Sequence, residues 1–554
     1  MAPREFLRLP HEIRHNIYRA YFTLDDGYVY QPESDKLVAA DGQPLNLALM
    51  YTCRFIASET KDLPLQHNAV TFSTVYRPEW RAWAARFDYL LRAQLFMQTR
   101  LLIELGGSGF ITPDIYAQID DKFPWFISGL RYAVRNNRIQ DDYDRGRYVH
   151  QVCWASEWRM LDTVTSRNVL FRGVNGSRYE ISQAIKFALR LVARGLGDDS
   201  NEHLARWLEG WQGREGLLQF LDHCYEPWDM PPISELESMG KRFGDDDTWL
   251  QLQDGWENDR HARCPVGYRS KHRFSATATA IRFLSNLPTD KRSTMRELVL
   301  NEDHIAVGFQ QCHSHGLVAL HKENPQLRVE LRASLPNNIL QASNMFGDAY
   351  EFQSRAEDLG RYGTHHIDAP GIFKEVSQWS TEALATVDSG MSVASYSLVF
   401  CGEPCIDLCS EIFQQVVQRD AAFFIAFEKC FPGLLYGYGS TFSFSIHPRA
   451  LEALAHLVNQ TSVLRANFHT GVLWDADKFV QELTGLRPDT IEGRRKVNHL
   501  LLARERPRFD LPHTMPHWFD LMMENYECGE VPLRRELYEA RLAHRQALRR
   551  LLGE

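Results

Sequence analysis

Cysteine and long apolar runs are both scarce in this sequence. Ten cysteines occur in 554 residues, and their spacing forms no disulfide framework, which favours a reducing compartment. Long apolar runs such as residues 421–427 fall far short of the roughly 20 residues that span a bilayer. The first residues also lack the apolar region of a secretory signal. The sequence therefore predicts a cytoplasmic or nuclear protein without a membrane anchor.

A strong charge of one sign is lacking as well. The net charge of −9 describes a mildly acidic chain, whose overall field argues against nucleic acid as a partner. The residue spacing of known catalytic motifs is also missing. There is no Gly-x-Ser-x-Gly elbow, and no Gly-Lys-Ser/Thr follows the glycine-rich turn at residues 106–109. We therefore predict no catalytic residue, no metal ligand and no cofactor. An enzyme of an unrecognised class, with a pocket in the large body of the chain, remains an alternative.

Apolar and aromatic residues are plentiful. Apolar residues make up 44% of the chain, with 13 Trp, 21 Tyr and 31 Phe, which excludes broad disorder. A chain of this length buries a large core and accommodates two to four domains. We expect a folded protein with several structural regions.

Hydrophobic periodicity predicts a helix-rich α+β fold with three regions, at residues 1–75, 76–243 and 270–554. The middle region reads as mostly helical, with a possible strand at Leu101–Leu105 and a long surface connection at residues 227–269. A strand-helix-strand unit near residues 295–334 fits a parallel crossover and resembles one unit of a leucine-rich-repeat array. A short strand is expected at residues 69–73. Further strands are expected at residues 393–400 and 441–446, and a basic amphipathic helix at residues 533–552.

Three clusters of potential ligands are candidate metal or redox sites. The first contains Cys312, His313, His315 and His321; cysteine and imidazole are good zinc ligands, but these residues are too tightly spaced for paired ligation. The second contains Cys401, Cys405 and Cys409, whose spacing of four suits one buried face of a helix. The third contains Asp245, Asp246, Asp247, Asp254, Glu257 and Asp259, which lack the order of a calcium-binding loop. Each cluster therefore favours an ordinary structural role.

The N-terminal segment has the clearest local pattern. Pro10 suits the first position of a helix, and Glu12 places a negative charge in its first turn. An apolar residue then recurs every fourth position, which puts these side chains on one helical face. A second helix is predicted from about Asn46 to Leu63, ended by Pro64. The apolar face consists of Leu9, Ile13, Ile17 and Tyr21.

The segment resembles the opening of the fungal F-box-like proteins. The resemblance covers about 75 residues and lies in Leu-Pro-His-Glu-Ile-Arg at 9–14, Ile-Tyr at 17–18, Tyr-Thr-Cys-Arg at 51–54 and Ser-Glu-Thr at 58–60. It implies a small helical bundle that docks on the Skp adaptor of a cullin ubiquitin ligase, while the rest of the chain holds a protein substrate. Leu9 and Pro10 would face the adaptor. Ile13 and Ile17 are also assigned to partner binding, and the resemblance implies that the bundle is held together by Ile13, Ile17, Cys53 and Ile56.

The resemblance predicts an interaction protein, specifically a substrate adaptor of a ubiquitin ligase. Two further interpretations stay open, in addition to that of an enzyme of an unrecognised class. The N-terminal helices can instead form an ordinary pair that closes one end of the core, and the chain can be a structural scaffold that binds no adaptor. The exposure of Leu9 and Pro10 is the observation on which the docking interpretation depends.

Overall fold

The computed structural model describes residues 6–136, 177–197, 213–243, 266–344, 371–432, 449–488, 490–502 and 509–530, with a few single residues between these ranges. The fold is α+β and rich in helix, as predicted. A seven-stranded sheet forms its centre, and a separate two-stranded antiparallel ribbon pairs residues 266–270 with residues 526–530.

The described strands are, in chain order, β1 Tyr28–Gln31, β2 Lys36–Ala39, β3 Val70–Ser73, β4 Val266–Ser270, β5 Glu297–Glu302, β6 Arg328–Ser334, β7 Tyr396–Cys401, β8 Leu464–Ala466 and β9 Tyr526–Glu530. The central sheet has the order β2-β1-β3-β5-β6-β7-β8, and β4 and β9 form the ribbon. All neighbouring pairs in the central sheet are parallel except β1 and β2, which form a hairpin. β3 lies beside β1, and from β3 onward each strand lies beside the sheet strand that precedes it in the chain.

The helices of the sheet region pack on one face of the sheet. Crossovers of one hand between successive neighbouring strands place their helices on the same side. The buried face carries in-register apolar residues, and all of them belong to one core. Side chains of the opposite face, such as Val299 and Ser397, do not belong to that core. A representative row of the buried face runs through Phe72, Leu300, Leu331, Leu398 and Leu464.

A second core lies in the helical middle region. Its 30-residue first helix is buried along much of its length, and shorter helices pack around it. The Arg178–Gly195 helix begins at a capping box in which Ser177 and Glu180 satisfy each other's backbone N–H groups. The helices are Pro78–Gly107, Pro113–Lys122, Pro124–Asn136, Arg178–Gly195, Gly213–Asp222 and Ile233–Phe243.

The other helices serve the N-terminal bundle or the sheet region. Those of the bundle are His11–Phe22, Arg54–Thr60 and Leu63–His67, with a 3-10 turn at Ala48–Tyr51. Those of the sheet region are Ala276–Asn286, Thr289–Arg292, Leu317–Glu323, Leu340–Asn344, Ile372–Asp388, Ile406–Ile412, Gln418–Cys430, Ala450–Val458, Ala476–Leu483, Ile491–Leu502 and Trp518–Met523, with a 3-10 turn at Gln310–Gly316 and π turns at Leu335–Ile339 and Phe413–Val417.

The strand-helix-strand prediction is confirmed. β5 and β6 are parallel neighbours, and the Leu317–Glu323 helix lies between them in the chain. The strands predicted at residues 69–73 and 393–400 are confirmed within a few residues. The strand predicted at residues 441–446 and the helix at residues 533–552 lie outside the described residues.

Three local predictions are wrong. Leu101–Leu105 is helical, because a helix buried on several sides reads as the same continuous apolar run as a buried strand. The helix expected from Asn46 to Leu63 is broken, because Cys53 is extended and caps a new helix by accepting the N–H of Ile56 at its Sγ. The connection expected at residues 227–269 contains the Ile233–Phe243 helix.

Candidate functional site

The four residues assigned to partner binding lie at the surface of the N-terminal bundle. Leu9 is half-buried and Pro10 is exposed. Ile13 and Ile17 retain 47% and 42% of their accessible surface, and Tyr21 continues the same exposed face. We call Leu9, Pro10, Ile13, Ile17 and Tyr21 the N-terminal stripe.

The opposite face of the His11–Phe22 helix holds the bundle together. Arg14, Tyr18 and Phe22 are buried at a spacing of four residues. Tyr18 and Phe22 belong to a small core that is separate from both larger cores and also contains Ile56 and Leu63. The bundle thus folds around its own interior and leaves the N-terminal stripe outside.

An ion pair joins the two helices of the bundle. Arg14 donates to Glu59 from Nε at 3.1 Å and from Nη2 at 2.5 Å, and the Tyr18 hydroxyl donates to the same carboxylate at 2.8 Å. The hydrogen bond from Arg14 holds the pKa of Glu59 below its usual value. Burial, followed by the Glu59 hydrogen bond, raises the pKa of Tyr18 to about 12. The carboxylate therefore stays ionised while the phenol stays protonated.

The expectation that Ile13, Ile17 and Cys53 hold the bundle together is wrong. All three are exposed, and only Ile56 of the expected set is buried. The helix carries two apolar faces, one through Ile13 and Ile17 and one through Tyr18 and Phe22. Hydrophobic periodicity alone does not indicate which of the two faces is buried. The second is buried because Tyr18 and Phe22 pack against Ile56 and Leu63 of the following helices.

The exposed aromatic ring of Phe55 lies beside the ion pair between Arg14 and Glu59. Phe55 retains 49% of its surface, and the Arg14 guanidinium lies 5.2 Å from the centre of its ring. Tyr51, in the preceding 3-10 turn, is also exposed. Exposed apolar surface is therefore contributed by both parts of the bundle.

The second candidate surface is the face of the central sheet that lies opposite the core formed with the described helices. One in-register row runs through Thr71, Val299, Glu330 and Ser397, and the next through Ser73, Asn301, Arg332, Val399 and Arg465. Except for Val299, these side chains are partly or fully exposed. Arg332 forms an ion pair with Glu330 at 2.6 Å. We call these nine residues the open face.

The Cys-His-Ser-His segment at residues 312–315 lies where the two large cores meet. Its side chains are buried and contact different partners. Cys312 packs in the helical core, and Leu317 just beyond the segment packs in the sheet core. The imidazole of His315 is 3.0 Å from Glu382 and stacks on Tyr179 with ring centres 4.1 Å apart. Within the part of the chain that the structure describes, no three His, Cys, Asp or Glu side chains are arranged to hold a metal ion.

Ser275 and His313 form a pair that the sequence analysis did not identify. Their Oγ and Nδ1 atoms are 2.6 Å apart, and His313 Nε2 is 2.8 Å from the carbonyl oxygen of Gly308. Burial lowers the pKa of His313 to about 4. Both residues are at most 1% exposed, so no substrate reaches this serine. Its hydroxyl instead caps the Ala276–Asn286 helix by accepting the N–H of Ala278.

Glu302 is the other buried acid at this junction. Its carboxylate accepts hydrogen bonds from the backbone N–H groups of Ala276 and Thr277 and from the Thr277 hydroxyl. Gln310 Nε2 also donates to it, at 2.5 Å. Burial raises the pKa of Glu302. The carboxylate closes the start of a helix and belongs to the interior of the fold.

The three cysteines spaced by four do not share one face. Cys401 ends β7 and is half-buried, whereas Cys405 and Cys409 are buried, with sulfur atoms 4.0 Å apart. The predicted core role is confirmed for the last two. The acidic cluster between Asp245 and Asp259 lies outside the described residues. Ser108 and Gly109 form a turn after the Pro78–Gly107 helix, as expected of that glycine-rich stretch.

A narrow cavity lies inside the helical region. Its lining includes Leu91 and Gln98 of the first helix of this region, Tyr179 and Lys186 of the Arg178–Gly195 helix, and Cys312. Lys186 forms an ion pair with Glu226 at 2.7 Å. The free interior admits little more than a water molecule, so an organic substrate does not fit without movement of these helices.

No protein-family model, curated protein or solved structure matches the chain. Among the helices that the structure describes, none combines the length and the apolar character needed to cross a membrane. The function must therefore be argued from the two candidate surfaces.

Proposed function

We propose that this chain is an interaction protein whose N-terminal bundle docks on a Skp-type adaptor of a cullin ubiquitin ligase. The open face of its sheet would then hold a second protein, the substrate of the ligase. The exposure of Ile13 and Ile17 on a bundle with its own core is the observation that supports this proposal.

The N-terminal stripe suits a helix-in-groove contact. Such contacts use apolar side chains that recur on one helical face, and the stripe supplies them at every fourth position. Its residues also include the Leu9-Pro10 pair and Ile13 of the F-box-like resemblance. Because the bundle core lies on the other side of the helix, a partner can cover the stripe without unfolding the bundle.

The open face suits a protein substrate. Parallel sheets are usually covered by helices on both faces, whereas the helices here pack on one face. Repeat proteins with a comparable arrangement use the uncovered side as an extended binding surface. The charged and hydroxyl side chains of Arg332, Glu330 and Ser397 offer hydrogen bonds to a partner there.

Co-purification tests the adaptor contact. Purified Skp-type adaptor should bind the full chain, and Ile13→Asp plus Ile17→Asp should abolish the complex because two charges would enter an apolar contact. Val393→Asp is the matched control, since Val393 is equally exposed on another part of the molecule. Circular dichroism establishes that each variant is folded. Wild-type chain that fails to bind the adaptor would favour the scaffold alternative.

The substrate contact needs a separate measurement. Proteins that co-purify with the chain from its native host should be lost in Arg332→Glu plus Ser397→Arg, while the adaptor is retained. Retention of all these proteins in the open-face variant would contradict the second half of the proposal. A ligase adaptor of this kind would act in the cytoplasm or the nucleus, as the scarcity of cysteine also indicates.

A further inference from the structure

A short exposed segment follows the last strand of the sheet. After β8 the chain crosses the helical stretch that begins at Ile406, and it presents three apolar side chains in succession. Val472, Leu473 and Trp474 retain 68%, 45% and 37% of their surface. We call these three residues the apolar platform. It lies at the opposite edge of the sheet from the β1–β2 hairpin.

Gln414 holds the platform in place through three hydrogen bonds. Its side chain accepts the N–H of Val472 at 2.8 Å and donates to the Val472 carbonyl at 3.1 Å. Its own carbonyl accepts the indole N–H of Trp474 at 2.8 Å. Two neighbouring bonds extend this contact, from Gln418 to the carbonyl of Thr470 and from the His469 N–H to Ser410. The segment is therefore held in one shape although it has no regular secondary structure.

Gly471 permits this close approach. Its φ is +76°, and a Cβ at this position would lie 2.8 Å from Gln414 Oε1 and 3.0 Å from Gln414 Cα. The backbone thus passes directly over the helix. A rigid backbone with exposed Leu and Trp side chains loses little conformational entropy when a partner covers it. Tryptophan is also among the residues that contribute most to binding at protein interfaces.

Exposed carboxylates lie on both segments that form the platform. Asp407 and Glu411 lie on the supporting helical stretch, about two turns and one turn before Gln414, and Asp475 follows Trp474 directly. Of the nearby cations, Lys429 is already paired with Asp477 at 3.0 Å, and Lys478 is exposed. The exposed charges on these two segments are therefore predominantly acidic.

We propose that the apolar platform binds a basic amphipathic segment of a partner protein. Apolar side chains of that segment would cover Leu473 and Trp474, and its Lys or Arg residues would face Asp407, Glu411 and Asp475. Charge complementarity selects this occupant over an acidic or a purely apolar segment. The inference is independent of adaptor docking, because it uses a different edge of the molecule.

The test uses the full chain and a fluorescent peptide of leucine and lysine in amphipathic helical order. Fluorescence anisotropy should show binding that weakens about tenfold in Leu473→Ser plus Trp474→Ala, since two central contacts are removed. Asp407→Asn plus Glu411→Gln should weaken binding and reduce its dependence on salt. Val472→Ser plus Leu473→Ser keeps the Trp474 hydrogen bond and should also weaken binding, which separates lost contacts from a loosened segment.

Two controls locate the contact. Ile491→Ser removes another exposed apolar side chain, beside Glu492, and should bind like wild type. Ile13→Asp plus Ile17→Asp should also bind normally, which separates this result from that of adaptor docking. Unchanged affinity in both platform variants overturns the proposal, as does equal binding of a peptide with Glu in place of Lys. Concentration-dependent self-association that the platform variants abolish would show that a second copy covers this surface and would also overturn it.

Discussion

The Arg14 guanidinium and the Glu59 carboxylate clamp the two helices of the N-terminal bundle, with Nε and Nη2 contacting different carboxylate oxygens. The pair joins the buried face of the His11–Phe22 helix to the Arg54–Thr60 helix. Ile13 and Ile17 lie outside this contact and remain exposed.

Replacement of Glu59 by Gln should loosen the bundle at neutral pH. The hydrogen bond from Arg14 lowers the pKa of Glu59 from 4.5, so its contribution to stability is present above the unfolded pKa and is lost as pH falls through the folded pKa. Hydrogen exchange of residues 11–22 should be faster in Glu59→Gln at neutral pH, and the difference should shrink in acid. Glu12→Gln, an exposed acid on the same helix, is the control. Equal protection in Glu59→Gln and wild type would contradict the clamp.

The two apolar faces of the N-terminal helix should respond differently to truncation. Phe22→Ala removes a ring that is 2% exposed and should cost about 3 kcal/mol in the free energy of opening of the bundle. Ile17→Ala should change that free energy by less than about 0.5 kcal/mol, because its side chain retains 42% of its accessible surface and lies outside the bundle core. Native-state hydrogen exchange measures both values. A larger loss in Ile17→Ala than in Phe22→Ala would reverse the assignment of the buried face.

His313 should make stability depend on pH. Burial lowers its pKa from 6.5 to about 4, so the unfolded chain binds a proton between these values while the folded chain does not. Stability from this group is therefore complete above pH 6.5 and is lost as pH falls toward 4, by about 3 kcal/mol in total. Urea unfolding should show a shallower loss over this range in His313→Gln than in wild type. Parallel curves would show that His313 is protonated without penalty in the folded state.

Local patterns predicted much of the sheet region. Leu298 and Leu300 face the same side of an extended chain, and Arg328–Ser334 alternates polar and apolar residues, so both strands and their shared buried face followed from a period of two. The order of the strands and the bare face did not follow, because they depend on which distant segments pair. β3 and β5 pair directly although more than 200 residues separate them.

The candidate surfaces were predicted only in part. The N-terminal stripe was recognised as a face, but its exposure follows from which face packs on distant residues such as Ile56, Glu59 and Leu63, and sequence periodicity does not show that. The apolar platform was not identified, because Val472, Leu473 and Trp474 carry no periodicity. Gly471 precedes them, and acids occur at residues 407, 411 and 475. These residues indicate a binding surface only once the structure shows that the segment at Val472 contacts the helical stretch at Gln414.

Gly471 provides the most direct test of the rigid platform. Gly471→Ala places a methyl group against Gln414 and also forces alanine into a left-handed conformation, so it should cost about 2 kcal/mol in the unfolding free energy and weaken binding of the basic peptide. Gly485 offers a matched comparison, since its φ is +84° but no atom lies within 4 Å of the added Cβ. Gly485→Ala should show the smaller cost of the conformation alone, about 1 kcal/mol, with peptide affinity unchanged.

The difference between these two variants isolates the contact with Gln414. If Gly471→Ala weakens the peptide and Gly485→Ala does not, the platform binds because its backbone is held close to the helix. If both variants bind the peptide like wild type, the hydrogen bonds from Gln414 are dispensable for binding, and side-chain exposure alone accounts for it. Urea unfolding and fluorescence anisotropy on the same preparations separate these two results, because the first measures the strain and the second measures the surface.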